Sequence, residues 1–123
     1  MILKTRHFAR WARKTGLADL LLNKAILEIE QGLLEADLGS GIMKKRIALP
    51  GKGKRGGIRT LLATNRKDRW FFLFGFEKNK RANISDNELE SLKKLAKHLL
   101  GLTMAQITAA IEEGALVEVE HEA

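Results

Sequence analysis

The sequence contains no cysteine and no tyrosine, and Pro50 is its single proline. Lack of cysteine excludes both a disulfide framework and a thiolate metal site, and it fits a reducing compartment. Lack of tyrosine removes the phenol as an acid or base. No apolar run approaches the ~20 residues that carry a helix across a bilayer. Charge arrives by Lys4 and Arg6, too early for a secretory leader. The expectation is a soluble cytoplasmic protein that does not engage membrane. His7, His98 and His121 lie far apart in the chain without metal-ligand spacing. No metal or other cofactor is therefore expected.

What is present reads as a globular protein, 45% apolar and 30% charged over 123 residues. That length suits one core domain. The net charge of +7 conceals an asymmetry. Residues 1–81 hold 19 Lys and Arg against 7 Asp and Glu, a balance of +12. Residues 82–123 hold 3 against 8, a balance of −5. A basic body of this kind favours nucleic acid, with salt-dependent affinity.

The charge is densest between Lys44 and Arg59, where seven cations stand with four glycines and no acid. Like charges this close repel one another, so such a run is suited to meeting an anion. Glycine lets a backbone approach closely and leaves amide donors available. A phosphate-gripping hairpin follows. A solvated hairpin face is the plainer reading.

Periodicity supplies the frame. Ile2 to Thr5 reads as a strand, and Phe8, Trp11 and Ala12 mark a helix ending near Gly16. Leu17 to Gln31 reads as a second helix with a wide apolar stripe that includes Leu20, Leu21, Ile26 and Leu27, and Gly32 closes it. The two are expected to form a helical hairpin. Leu34, Ala36 and Leu38 then alternate with acids, and Gly39 to Gly41 is a turn. Ile42–Leu49, Ile58–Thr64 and Arg69–Phe76 read as successive strands. The run from Trp70 to Phe74 is apolar on both faces, which predicts a central, doubly covered strand. Trp70, Phe72, Phe74 and Phe76 are expected on one face of it, packed under helices. Ser85 with Glu88 forms a capping box opening a helix through Leu100. Thr103 with Gln106 opens a shorter one, and Leu116 to Val119 alternates like a strand. The fold class is α+β.

Gly51, Gly53 and Gly56 match G-x-G-x-x-G, but a strand follows where that motif needs a helix N-terminus. No Walker A pattern occurs. Lys44 and Arg46 stand two apart on one strand face, and Arg59 lies on the next strand. If the strands pair, the three heads meet around one phosphate; Arg offers a planar fork and Lys a mobile point charge. Beyond the core strand, Glu77 and Lys78 are candidates for proton transfer.

Three segments resemble the RelE/HigB-type toxins of bacterial type II toxin–antitoxin systems, in the RelE/ParE superfamily. They are Lys44-Lys45-Arg46-Ile47-Ala48, Gly51-Lys52-Gly53-Lys54-Arg55-Gly56-Gly57-Ile58-Arg59 and Arg69 through Asn79. The Asn83-Ile84-Ser85 ending with Glu88-Leu89 is similar too. The resemblance spans residues 1–100, which would form a RelE-like toxin core: two N-terminal helices on a small antiparallel sheet, then a helix. Residues 101–123 would be an appended helix and strand.

It implies a ribosome-dependent mRNA endonuclease, an interferase that blocks translation by 2′-hydroxyl attack on the adjacent phosphate. A cognate antitoxin, expected to be a helix-turn-helix protein, would restrain it. By position Lys44, Arg46, Arg59 and Lys78 match the catalytic basic cluster. Arg46 and Arg59 would stabilise phosphate charge, with Lys44 as general base if nearby cations lower its pKa. Lys45, Lys52, Lys54, Arg55, Lys80 and Arg81 would position RNA. The chain departs from members that use a late tyrosine. A reading from another class is a non-catalytic basic module that binds nucleic acid or an antitoxin.

Overall fold

The computed structural model describes residues 1–51 and 57–120. Their order is β1 (Ile2–Thr5), α1 (Arg6–Thr15), α2 (Asp19–Glu30), β2 (Ala36–Gly39), β3 (Ile42–Ile47), β4 (Ile58–Thr64), β5 (Trp70–Glu77), α3 (Asp86–Leu100), α4 (Met104–Glu112) and β6 (Leu116–Glu118). Among the described residues no helix is long and apolar enough to cross a membrane.

Local signals set most of these boundaries. Thr5 caps α1 by accepting from the Phe8 N–H, and Gly16 ends the helix in the left-handed region. The capping boxes of α3 and α4 are both formed, Ser85 with Glu88 and Thr103 with Gln106. Each satisfies two N–H groups that a helix start otherwise leaves open.

The strands join one six-stranded sheet in the order β2-β3-β4-β5-β1-β6. It is antiparallel throughout except for β1 beside β5, which run parallel. That pair departs from the wholly antiparallel expectation. It is possible because β1 and β5 are joined not by a hairpin but through α1, α2 and the three strands β2 to β4. β6 hydrogen-bonds to β1, and Ile107 of α4 and Leu116 of β6 are buried in the core.

The sheet is covered on both sides. Phe8, Ala12, Leu22, Ile26 and Ile29 pack with Met43, Ile47, Leu62 and Phe72 on one face. Leu92, Ala96 and Leu99 pack with Ile42, Leu61, Phe71 and Leu73 on the other, joined by Ile107. β4 is buried along its whole length, and β5 lies between β4 and β1, as its two-sided apolarity predicted.

Three expectations require correction. The register between β4 and β5 shifts between Leu61 and Leu62, where Leu61 faces Phe74 but Leu62 faces Phe72. The extra residue, Leu73, reverses the alternation. Trp70 and Phe72 consequently pack toward α1 and α2, while Phe74 and Phe76 lie on the α3 side. The α1–α2 hairpin is also not the organising contact: α1 rests on β5 and β1, and α2 rests on β3. Finally, Leu20 and Leu27 point to solvent, because the face of α2 turned to the sheet is Leu22, Ala25, Ile26 and Ile29.

The bulge has a packing consequence. Gly75 follows it on the α1 side, and a Cβ there would fall 2.1 Å from Trp11 Cζ3. The indole occupies that space, in contact with Phe8. Only glycine leaves room for it.

Candidate functional site

In the β3–β4 ladder Arg46 is paired with Arg59, and Lys44 lies two residues before Arg46. Directly opposed residues of an antiparallel pair share a face, as do residues two apart on one strand. All three cations therefore rise from the α3 side of the sheet, beyond the apolar row of Ile42 and Leu61. The guanidinium groups approach closely: a Cβ on Gly57 would lie 3.3 Å from Arg46 Nε and 3.3 Å from Arg59 Nη1. Glycine here keeps the space above its Cα open to both forks.

Arg59 is 7% exposed, so its charge needs a partner. Glu35, just before β2, supplies one. Arg59 Nε lies 3.1 Å from Glu35 Oε1 and 2.9 Å from Oε2. The same carboxylate stands 3.9 Å from Lys44 Nζ. Lys44 Nζ also donates to Asn83 Oδ1 at 3.1 Å and lies 6.0 Å from the centre of the Phe76 ring. The lysine is held from three sides.

Asn83 belongs to a network that fixes the wall beside the cluster. The guanidinium of Arg81 grips both carboxylate oxygens of Glu88, and its Nε donates to the Asn83 carbonyl at 3.1 Å. Arg81 also lies 5.8 Å from the centre of Phe74 and 5.7 Å from that of Phe76. Hydrogen bonds from Arg81 and from Ser85 hold the Glu88 carboxyl at about 2, and Glu88 in turn raises the Arg81 pKa. The wall continues to His7, whose ring stacks on Phe74 at 5.9 Å between centres.

The other sequence candidates separate. Lys45 faces the opposite side, where its Nζ donates to the Leu33 carbonyl at 2.7 Å and pairs with Glu28 at 3.2 Å. Strand alternation and the nearness of α2 bury it, so it stands apart from the three cations on the α3 side. Lys78 is exposed in the turn after β5, and its N–H donates to the Gly57 carbonyl, which keeps that turn beside the cluster. Lys80 is exposed and paired with Glu77 at 2.9 Å. Lys52, Lys54 and Arg55 lie outside the described residues.

Sequence reasoning missed Glu35, Asn83 and His7. In strict alternation Glu35 would share the side of Lys45; it escapes that parity because β2 begins only at Ala36. The acids interleaved with Leu34 and Ala36 were its one available signal. No group of three or more His, Cys, Asp or Glu able to hold a metal occurs among the described residues.

A basic cluster on the β3–β4 face of this topology invites comparison with known families. Residues 1–119 match the RelE toxin of the RelE/RelB toxin–antitoxin system. The chain belongs to the RelE toxin family. It is the toxin component of a toxin–antitoxin system, and a RelE toxin has an antitoxin as its partner. The match runs past residue 100 through β6 of this RelE toxin, in keeping with the pairing of β6 to β1.

Proposed function

We propose that this RelE toxin is a ribosome-dependent mRNA endonuclease that attacks the scissile phosphate with the neighbouring ribose 2′-hydroxyl. The observation that carries the reading is the meeting of Lys44, Arg46 and Arg59 on one sheet face above Gly57. Charge gathers on the phosphate oxygens as the fifth bond to phosphorus forms. Donors already fixed around that position lower the barrier without reorganising at the moment of reaction.

Arg46 and Arg59 are assigned to the phosphate oxygens, where a planar fork fits two acceptors at once. Lys44 is assigned as a third donor instead of the base, because its Nζ already donates to Asn83 beside Glu35. As an ammonium it offers three N–H donors and no lone pair to receive a proton. Lys78, on the turn tied to Gly57, is assigned to the leaving side of the phosphate. The wall of Arg81, Phe74 and His7, backed by the buried Phe76 ring, offers charge and ring surface to the flanking nucleotides. Lys80, Lys52, Lys54 and Arg55 are assigned to the RNA backbone. Such an enzyme works in the cytoplasm, restrained by an antitoxin of the helix-turn-helix class.

The test is growth arrest on induction, with message ends sequenced from the arrested cells. Arrest with new ends inside translated messages, both lost in a folded Arg59→Ala variant, supports the reading. Arrest that survives simultaneous alanine substitution of Lys44, Arg46 and Arg59 overturns it.

A further inference from the structure

Glu35 is a carboxylate that touches two members of the cluster, Arg59 and Lys44. We propose that Glu35 is the proton acceptor of the cleavage, an inference that rests on the endonuclease reading above. The reaction needs a base close to the phosphate, since the 2′-oxygen sits on the carbon adjoining the one that carries the 3′-oxygen. Glu35 borders that position through the two cations assigned to the phosphate. It lies 2.9 Å from an arginine nitrogen assigned to the phosphate.

Neighbouring groups are poor alternatives. Lys44, Arg46 and Arg59 are donors. The Glu88 carboxyl, held at about 2 by Arg81 and Ser85, accepts a proton weakly. Glu77 follows Phe76 and so belongs to the opposite face, where it pairs with Lys80. His7 is separated from Lys44 by the Phe74 and Phe76 rings.

In the free toxin Glu35 satisfies Arg59, which is nearly buried. An arriving phosphate competes for the same guanidinium and offers more acceptor oxygens, which releases the carboxylate beside the 2′-hydroxyl. The 2′-O–H bond then breaks with its proton passing to Glu35, and the 2′-oxygen bonds to phosphorus. The bond from phosphorus to the 5′-oxygen breaks, its electron pair leaves with that oxygen, and the oxygen takes a proton from water. Products are a 2′,3′-cyclic phosphate and a 5′-hydroxyl end. Glu35 returns its proton to solvent. Among the described residues, the charged groups in contact with Glu35 are Lys44 from β3 and Arg59 from β4, both donors in this scheme.

The experiment is single-turnover cleavage of a defined message on purified ribosomes by full-length wild type, Glu35→Gln, Glu35→Asp and Arg59→Ala. Circular dichroism and ribosome affinity are measured alongside. Glu35→Gln keeps the shape and loses the basic oxygen, so the chemical step should fall by about 10²-fold or more at unchanged affinity. Glu35→Asp should recover part of it. A carboxylate that merely positions Arg59 would leave Glu35→Gln within a few fold of wild type, because the amide oxygen still accepts from the Arg59 Nε–H.

Glu35→Gln cutting within a few fold of wild type, or faster, overturns the inference. If wild type cuts, Arg59→Ala does not, and Glu35→Gln does, the role of Glu35 falls and the endonuclease reading stands. If wild type leaves the message whole, both fall.

Discussion

Arg46 and Arg59 face each other across the β3–β4 ladder, and both guanidinium groups border the same space above Gly57. Like charges directly opposed in a sheet are destabilising. Their juxtaposition is therefore a cost of folding that an anion relieves, and Glu35 relieves it at Arg59. Replacing Arg59 with lysine keeps the charge and removes the fork. Cleavage by Arg59→Lys should fall at least about tenfold, while Arg59→Ala should fall by about 10²–10³-fold. Rates of message cutting on ribosomes measure both.

Lys44 and Lys45 are chain neighbours with opposite fates. Lys44→Ala should depress cleavage strongly and change the thermal midpoint little. Lys45→Ala should cost about 1–3 kcal/mol of stability through its lost bonds to Leu33 and Glu28 and leave the chemical step near wild type. Paired denaturation and cleavage measurements separate the two. Equal losses of activity would contradict the assignment of Lys45 to the other face.

Gly75→Ala should destabilise the fold by about 1–3 kcal/mol, because the added methyl overlaps the Trp11 indole. Indole fluorescence should shift as the ring is displaced. Trp11→Ala in the same background should relieve part of the penalty, a coupling readable as a double-mutant cycle.

How far the sequence carried the fold is instructive. β1 and β4 begin and end at the residues that periodicity selected, and both capping boxes formed, because these signals lie within a few residues of each other. Strand parity put Lys44 and Arg46 on one face, and Arg59 joins them through the β3–β4 register, on which the expectation was conditional. The bulge at Leu73 was not, since Trp70-Phe71-Phe72-Leu73-Phe74 has no polar residue to reveal a change of side. Parallel pairing of β1 with β5 depends on residues some 68 apart, Ile2 with Trp70, and leaves no local mark. Glu35 was missed for a similar reason: its partners lie on two later strands, and it precedes the strand whose alternation would have placed it.

Acid pH offers a test of the wall. The Glu88 carboxyl sits at about 2 against an ordinary 4.5, so the unfolded chain takes up its proton first as pH falls. Its contribution to stability is complete above the ordinary value and fades as pH drops from there toward 2. Glu88→Gln should consequently lose less stability than wild type across that interval. It should also loosen Arg81 from Phe74 and Phe76. Acid titration of the unfolding midpoint for the two proteins checks the first point, and a parallel slope in both would refute it.

The most direct test of the central claim is end chemistry on a message cut by the purified toxin with programmed ribosomes. The account predicts 5′-hydroxyl and 2′,3′-cyclic phosphate ends with wild type, and an intact message with a folded, ribosome-binding Arg46→Ala/Arg59→Ala variant. Undiminished cutting by that double variant, or 5′-phosphate ends from wild type, would contradict it.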